Sequence, residues 1–428
     1  MDFWLHAAAA KHPDRLAVDS PERTLSYDAL ARLAGAAGAA LREQGVGKGD
    51  RVALEIEDRV EFLIALHACL LIGAPAVPID LRLNESEREV RRRGSVTVLK
   101  SLPAGRDQAA PEPALGLDAV ATVMHTSGTT SEPKAIELSY GNWLANALGS
   151  AVALGLDPAE RWLCPMPLTH VGGLSILIRS TIYGTTAVLN RRFETETVLD
   201  TLMEPAHRIT LVSLVPTMLD RLLEAGLHEP PSLRWVLLGG GPIPPAMLQR
   251  AEAAGVPVAP TYGMTEACSQ IATFGWPLPG VEIRTHEGEV LVRGETVSSG
   301  ALSEDGWLHT GDEGEFDERG RLRITGRRSE TIVSGGENVA PAEVEAALLA
   351  HPAISDAGVF GRPDPEWGEA VVAVVVVGDG AAPDPEELRD FCAERLASFK
   401  VPKAFGFAPE LPRTVSGKLL RRELEGLV

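Results

Sequence analysis

Between residues 26 and 263, segments of helical period alternate with short apolar strands, and few folds accommodate that rhythm. Leu30, Leu33, Ala37 and Leu41 recur at helical spacing in 26–46, and the run stops at Gly45. RVALEI at 51–56 reads as a strand, VEFLIALHACLLIG as a helix closed by Gly73, and APAVPI at 74–79 as the next strand. Alternation of this kind predicts an α/β fold with parallel strands and helical crossovers. Residues 281–326 break it: VEIRT, GEVLVRG and WLHTGDEGEFDERGRLRITG are short strands with Gly and Asp turns, typical of an antiparallel sheet or small barrel. After Gly326 the strand TIVSGG, a helix begun by Pro341, further strands and a terminal helix KLLRRELEGL predict a small α+β domain. The expectation is an N-terminal domain at 1–326, with two α/β sheets and a β-barrel-like subdomain, and a mobile C-terminal domain at 327–428, hinged near 326–329. Residues 101–118, Pro- and Ala-rich without period, read as a surface loop.

The length of 428 residues suits two to three domains. The formal charge of −19 argues against nucleic acid and anionic lipid as partners. An anionic substrate would then need locally gathered cations or a metal. Four scattered cysteines with no CxxC pair disfavour a zinc site or redox dithiol, and together with an N-terminus unlike a secretory signal they favour a cytoplasmic location. The longest apolar runs are too short to span a bilayer, and no lipid-anchor motif is visible.

Five segments carry chemistry. In HTSGTTSEPKAIELS (125–139) an apolar strand runs into Thr126, Ser127, Gly128, Thr129, Thr130 and Ser131, with Lys134 following. Glycine admits close backbone approach, hydroxyls and N–H groups wrap phosphate oxygens, and lysine adds a point charge. The pattern GxxxxGK[ST] is absent. In APTYGMTEACSQ (259–270) Tyr262, next to Gly263, offers a flat face to a purine, and Thr265 with Glu266 makes a hard-oxygen pair suited to Mg²⁺. Upstream, a buried strand ends in Gly239, Gly240 and Gly241, the kind of strand end at which open α/β sheets bind ligands. Asp312 of GWLHTGD can accept from ribose hydroxyls, Arg327 of GRRSETIVSGGEN can reach phosphate or ribose, and Lys418 of LPRTVSGKLLRREL sits in a Gly-preceded loop. Each also has a plainer reading: a polar loop, a solvated acid, a turn aspartate, a surface arginine, a tail lysine.

Together TSGTTSEPK, YGMTE, TGD, GRRSETIVSGGEN and PRTVSGK resemble, in order and spacing, the adenylate-forming enzymes: acyl-CoA synthetases, luciferases and peptide-synthetase adenylation domains. The resemblance runs from residue 26 onward. It departs at Ser131, usually glycine, at Glu330, commonly aspartate, and at the hinge residue Ser329, usually Asp or Lys. It implies a carboxylate attacking the α-phosphate of ATP, loss of pyrophosphate, and capture of the acyl-adenylate by the thiol of coenzyme A. By the same resemblance Lys418 bridges carboxylate and α-phosphate, Glu266 and Thr265 hold Mg²⁺, and Ser127, Thr129, Thr130 and Lys134 hold the outer phosphates. Tyr262 and Gly239–Gly241 would hold adenine, Asp312 would hold the ribose, and Arg327 would also contact the nucleotide. After adenylation the C-terminal domain would rotate, replacing Lys418 with the loop of Gly335, Gly336 and Glu337 and opening a pantetheine tunnel.

PMPLTHVGGLSILIRSTIYG (165–184) and YGMTEACSQI look like the o-succinylbenzoate–CoA ligase branch of menaquinone synthesis. That acid carries a second carboxylate that is not activated, and a cation should meet it. Arg179 is the expected cation, with His170 at the pocket wall and Ser175, Ser269 and Gln270 as polar contacts. The plainer readings are a helix-end surface charge for Arg179 and a satisfied core histidine for His170. An aryl- or fatty-acyl-CoA ligase would share the nucleotide motifs but have little use for Arg179. An amino-acid adenylating enzyme would want an acidic group for the substrate ammonium. A non-catalytic nucleotide-binding protein would be expected to lose Lys418 or Glu266. Oligomeric state is left open.

Overall fold

The computed structural model describes residues 4–103, 115–126, 133–334, 337–365, 367–378, 382–414, 417 and 419–428. Two large sheets form the body. One has nine strands, and its centre is a parallel run: Leu16–Asp19, Thr186–Leu189, Arg161–Cys164, Leu211–Leu214, Trp235–Leu238 and Val258–Met264. Ser269–Thr273 and Trp276–Pro277 extend it antiparallel beyond Val258–Met264. The other has five strands, parallel through Ser95–Leu99, Arg51–Leu54, Ala76–Pro78 and Val120–Thr126, with Lys134–Ser139 antiparallel at the edge. The central strands are apolar runs covered on both faces, as parallel sheets require.

Local chemistry explains the helix ends. Asp58 accepts from the N–H groups of Val60 and Glu61 and starts helix Arg59–Ile72, which Gly73 closes with a left-handed φ of 72°. Nearly every residue of this helix is buried, because it packs between layers rather than on the surface. Ser139 and Asn142 form a reciprocal capping box at Tyr140–Leu154.

Residues 281–327 form an open four-stranded antiparallel sheet, Val281–His286, Glu289–Gly294, Leu308–Phe316 and Leu322–Arg327, rather than a closed barrel. The C-terminal part is a five-stranded sheet built on the long pair Ile354–Asp364 and Gly368–Val377, with helices Pro341–Leu349 and Pro385–Ala393 sharing its core. The terminal segment differs from expectation. It is a 3₁₀ helix, Arg421–Leu427, anchored through the fully buried Leu424. Much of loop 101–118 lies outside the described residues. Among the described residues no helix is long and apolar enough to cross a membrane.

Candidate active site

The turn after strand Val258–Met264 is built on close approach. A Cβ on Gly263 would stand 1.7 Å from the carbonyl oxygen of Ser269, and one on Gly239 would stand 2.8 Å from that of Thr261. Only glycine lets the two strands close there. The chain passes through a short 3₁₀ turn, Thr265–Ala267, then turns back through Cys268 and Ser269, both at positive φ. Strand pairing sets Tyr262 opposite Ala272 and Gly263 opposite Gln270.

Tyr262, Asp312 and Arg327 come together at this end. The Tyr262 hydroxyl donates to Asp312 Oδ2 at 2.8 Å, and Arg327 Nε donates to Asp312 Oδ1 at 2.6 Å. Pairing of Leu308–Phe316 with Leu322–Arg327 places Asp312 directly opposite Arg327. Burial, with the Asp312 charge beside it, pushes the Tyr262 phenol far above its ordinary range. Burial alone would weaken the Arg327 guanidinium, but Asp312 holds its pKa above the usual value. Each Asp312 oxygen is used once and keeps a lone pair free to accept a further hydroxyl.

The two strands on either side of residues 127–132 join the same locus. Strands Val120–Thr126 and Lys134–Ser139 pair with Thr126 opposite Lys134. Ser298, in the turn after strand Glu289–Gly294, ties this edge to Glu266. Its N–H donates to the Glu266 carbonyl at 2.8 Å and its hydroxyl to the Glu137 carbonyl at 2.7 Å. The Glu266 side chain is half-buried and makes no hydrogen bond or ion pair with a described residue. Among the described residues no three His, Cys, Asp or Glu converge on a metal. A free carboxylate beside a threonine hydroxyl still fits Mg²⁺, which arrives with its nucleotide and keeps waters rather than occupying an all-protein cage. Ser127, Gly128, Thr129, Thr130, Gly335, Gly336 and Lys418 lie outside the described residues. Gly417, next to Lys418 in the chain, is described: a Cβ there would stand 3.1 Å from Thr217 Oγ1. A Cβ on Gly240 would stand 3.4 Å from Val215, so the segment 215–217 touches both glycines. Glu337 is exposed on Glu337–Val339 and shares no bond with these groups.

Helix Val171–Tyr183 carries the remaining candidates. Arg179 is 1 % exposed, which excludes a surface charge. Its Nη2 donates to Asn146 Oδ1, its guanidinium lies 5.6 Å from the Trp162 ring, and Nε and Nη1 have no partner among the described residues. Burial depresses its pKa, and no carboxylate offsets that. Asn146 in turn donates to the Gln270 carbonyl at 3.0 Å, so Arg179 stands behind the Tyr262–Glu266 turn. Gln270 Nε2 donates to Thr273, and its Oε1 is buried without a partner. Ser175 donates to the Gly172 carbonyl within its own helix. Ser269 is half-buried on the turn. His170 occupies the N-cap position of this helix without a side-chain capping bond, its side chain 44 % exposed and Nε2 4.0 Å from Asp80, so it is not a core histidine. Asn146 and Ser298 escaped the sequence reading. Their partners lie 32 to 161 residues away in the chain, and no local motif signals either.

Glycine-lined strand ends, the hydrogen-bonded group of Tyr262, Asp312 and Arg327, and the buried Arg179 make up this arrangement, and the chain belongs to the AMP-binding enzyme family. That family matches residues 5–99 and 93–302, and its C-terminal domain matches 343–418. The chain is 39 % identical to the 2-succinylbenzoate–CoA ligase of Bacillus licheniformis, over 98 % of each chain. Two solved structures of o-succinylbenzoate CoA synthetase from Bacillus subtilis are similar throughout. The complex with the acyl-adenylate intermediate gives a TM-score of 0.90 at 37 % identity, covering 99 % of this chain and 97 % of the other. The complex with ATP and magnesium ion gives 0.89 at 37 %, covering 99 % of each.

Proposed function

We propose that this chain is an AMP-forming 2-succinylbenzoate–CoA ligase of menaquinone synthesis, working in the cytoplasm. One carboxylate of the acid attacks the α-phosphate of ATP and expels pyrophosphate. The thiol of coenzyme A then attacks the acyl carbon and releases AMP. Bringing two anions together needs cations aimed at the developing charge. Lys418 would bridge carboxylate and α-phosphate, and Lys134 with Ser127, Gly128, Thr129 and Thr130 would hold the outer phosphates. Thr265 and Glu266 would hold Mg²⁺, which when bound neutralises phosphate charge. Asp312 would take the ribose hydroxyls, with Arg327 and Tyr262 holding its carboxylate in place, and Gly239–Gly241 would leave room for adenine. The domain division near 326–329 would let Lys418 serve the first step and Gly335, Gly336 and Glu337 the second.

The observation that carries the choice of acid is Arg179, a buried cation with two free nitrogens and no counter-ion. A monocarboxylic acid has only the carboxylate that reacts. An acid with a spare one supplies what Arg179 lacks. Pyrophosphate exchange across a panel of acids tests this. The expected result is strong exchange with 2-succinylbenzoate and weak exchange with benzoate or fatty acids. Arg179→Gln should raise KM for the dicarboxylate by about 10- to 100-fold, the worth of a charge-assisted hydrogen bond, and leave KM for ATP within about twofold. Exchange with benzoate or fatty acids but none with 2-succinylbenzoate would overturn the assignment.

A further inference from the structure

Resting on that reading of Arg179, we propose that Asn146 is a specificity-determining residue, a neutral partner that aims the guanidinium while leaving its charge unspent. Asn146 is fully buried on helix Tyr140–Leu154, one helix away from Arg179. Its two polar ends are both committed, Oδ1 accepting from Arg179 Nη2 and Nδ2 donating to the Gln270 carbonyl at 3.0 Å. That second bond fixes which end of the amide faces Arg179, because only the nitrogen end can donate. It also ties the cation to the strand that follows the Glu266 turn.

Buried arginines are ordinarily matched by carboxylates, since an unpaired buried charge is costly. This one is met by an amide, an aromatic face and two neutral acids, Tyr183 and Cys268, whose protonated forms burial favours. An aspartate at 146 would satisfy Arg179 permanently and leave nothing for a ligand. The amide does the positioning without the neutralisation, so the pocket selects an acid that brings its own second carboxylate.

The test compares Asn146→Asp, Asn146→Leu and Arg179→Gln by steady-state kinetics with 2-succinylbenzoate and ATP. Asn146→Asp should raise KM for the acid at least tenfold, with KM for ATP within twofold. Asn146→Leu, similar in size and uncharged, removes the aim but not the free charge, and should raise it about threefold. If the aspartate variant raises KM no more than the leucine variant, the charge argument is wrong. If neither differs from the parent protein, Asn146 plays no part in selection. Should Asn146→Asp fail to fold, Asn146→Leu decides, since an unchanged KM there overturns the proposal. Arg179→Gln separates the two levels. If it leaves KM for the acid unchanged, the underlying reading of the pocket fails. If it raises KM while the Asn146 variants do not, only the present inference fails.

Discussion

His67 shows how a single buried side chain makes stability depend on pH. It is 2 % exposed on helix Arg59–Ile72, and burial lowers its pKa to about 4. Thr181 donates its one hydroxyl proton to the Leu177 carbonyl, so His67 Nε2 must be the donor in the 3.1 Å contact between them. The folded chain therefore holds His67 neutral, while the unfolded chain protonates it below about 6.5. Between those values the unfolded state binds more protons, and stability falls as pH falls, by roughly 3 kcal/mol at most from this residue. His125, also lowered to about 4 by burial first, adds the same sign. Denaturant melts between pH 7 and 4.5 should show the decline, and His67→Gln should flatten it. The candidates Tyr262, Glu266, Asp312 and Arg327 could be picked out at this scale because their types and local spacing suggest chemistry: a glycine turn before an acid, an aspartate after a glycine. The surroundings of Arg179 were only half legible. Arg179 could be named, but whether it was exposed or buried depends on how helices Tyr140–Leu154 and Val171–Tyr183 pack, and no pattern within either helix states that.

The hairpin from Val258 to Thr273 is the element on which the candidate site turns. Strand pairing presses Gly263 against Ser269, and that contact aims Tyr262 at Asp312 on one side and presents Glu266 on the other. Gly263→Ala must push the strands apart, since no side-chain rotation relieves a Cβ facing a backbone oxygen. KM for ATP should rise by at least tenfold while the far-ultraviolet circular dichroism stays near that of the parent, and an unchanged KM would show that the hairpin tolerates opening. Most elements could be read from periodicity, because buried strands and amphipathic helices imprint period on sequence. Two could not. Lys134–Ser139 follows a polar loop and shows only two buried residues, Ile136 and Leu138. The terminal segment has a helical pattern, but Arg421 is drawn to Glu330, Glu345 and the Val359 carbonyl, and the chain tightens into a 3₁₀ helix instead.

At the level of the whole molecule, one place where the C-terminal part meets the body is the stretch that includes Gly417, beside Thr217. Arg413 holds that stretch, donating to the Gly417 carbonyl at 2.9 Å and to both Asp356 oxygens at 2.8 Å. If the two parts take turns at the site, Lys418→Ala should abolish pyrophosphate exchange and still convert supplied acyl-adenylate to thioester. An equal loss of both half-reactions would contradict the alternation. The four cysteines divide along the same line: Cys69, Cys164 and Cys268 lie in the body and Cys392 in the C-terminal core, all without disulfides. Burial raises every one of these thiols, Cys392 to about 11 and Cys69 to about 12, so at neutral pH they are poor nucleophiles while sealed. Alkylation by iodoacetamide thus becomes a clock for each lobe, with the Cys392 peptide timing the opening of the smaller one. In partial denaturant that peptide should acquire its label at a rate distinct from the other three, and identical rates at all four would mean that the lobes come apart as a single cooperative unit.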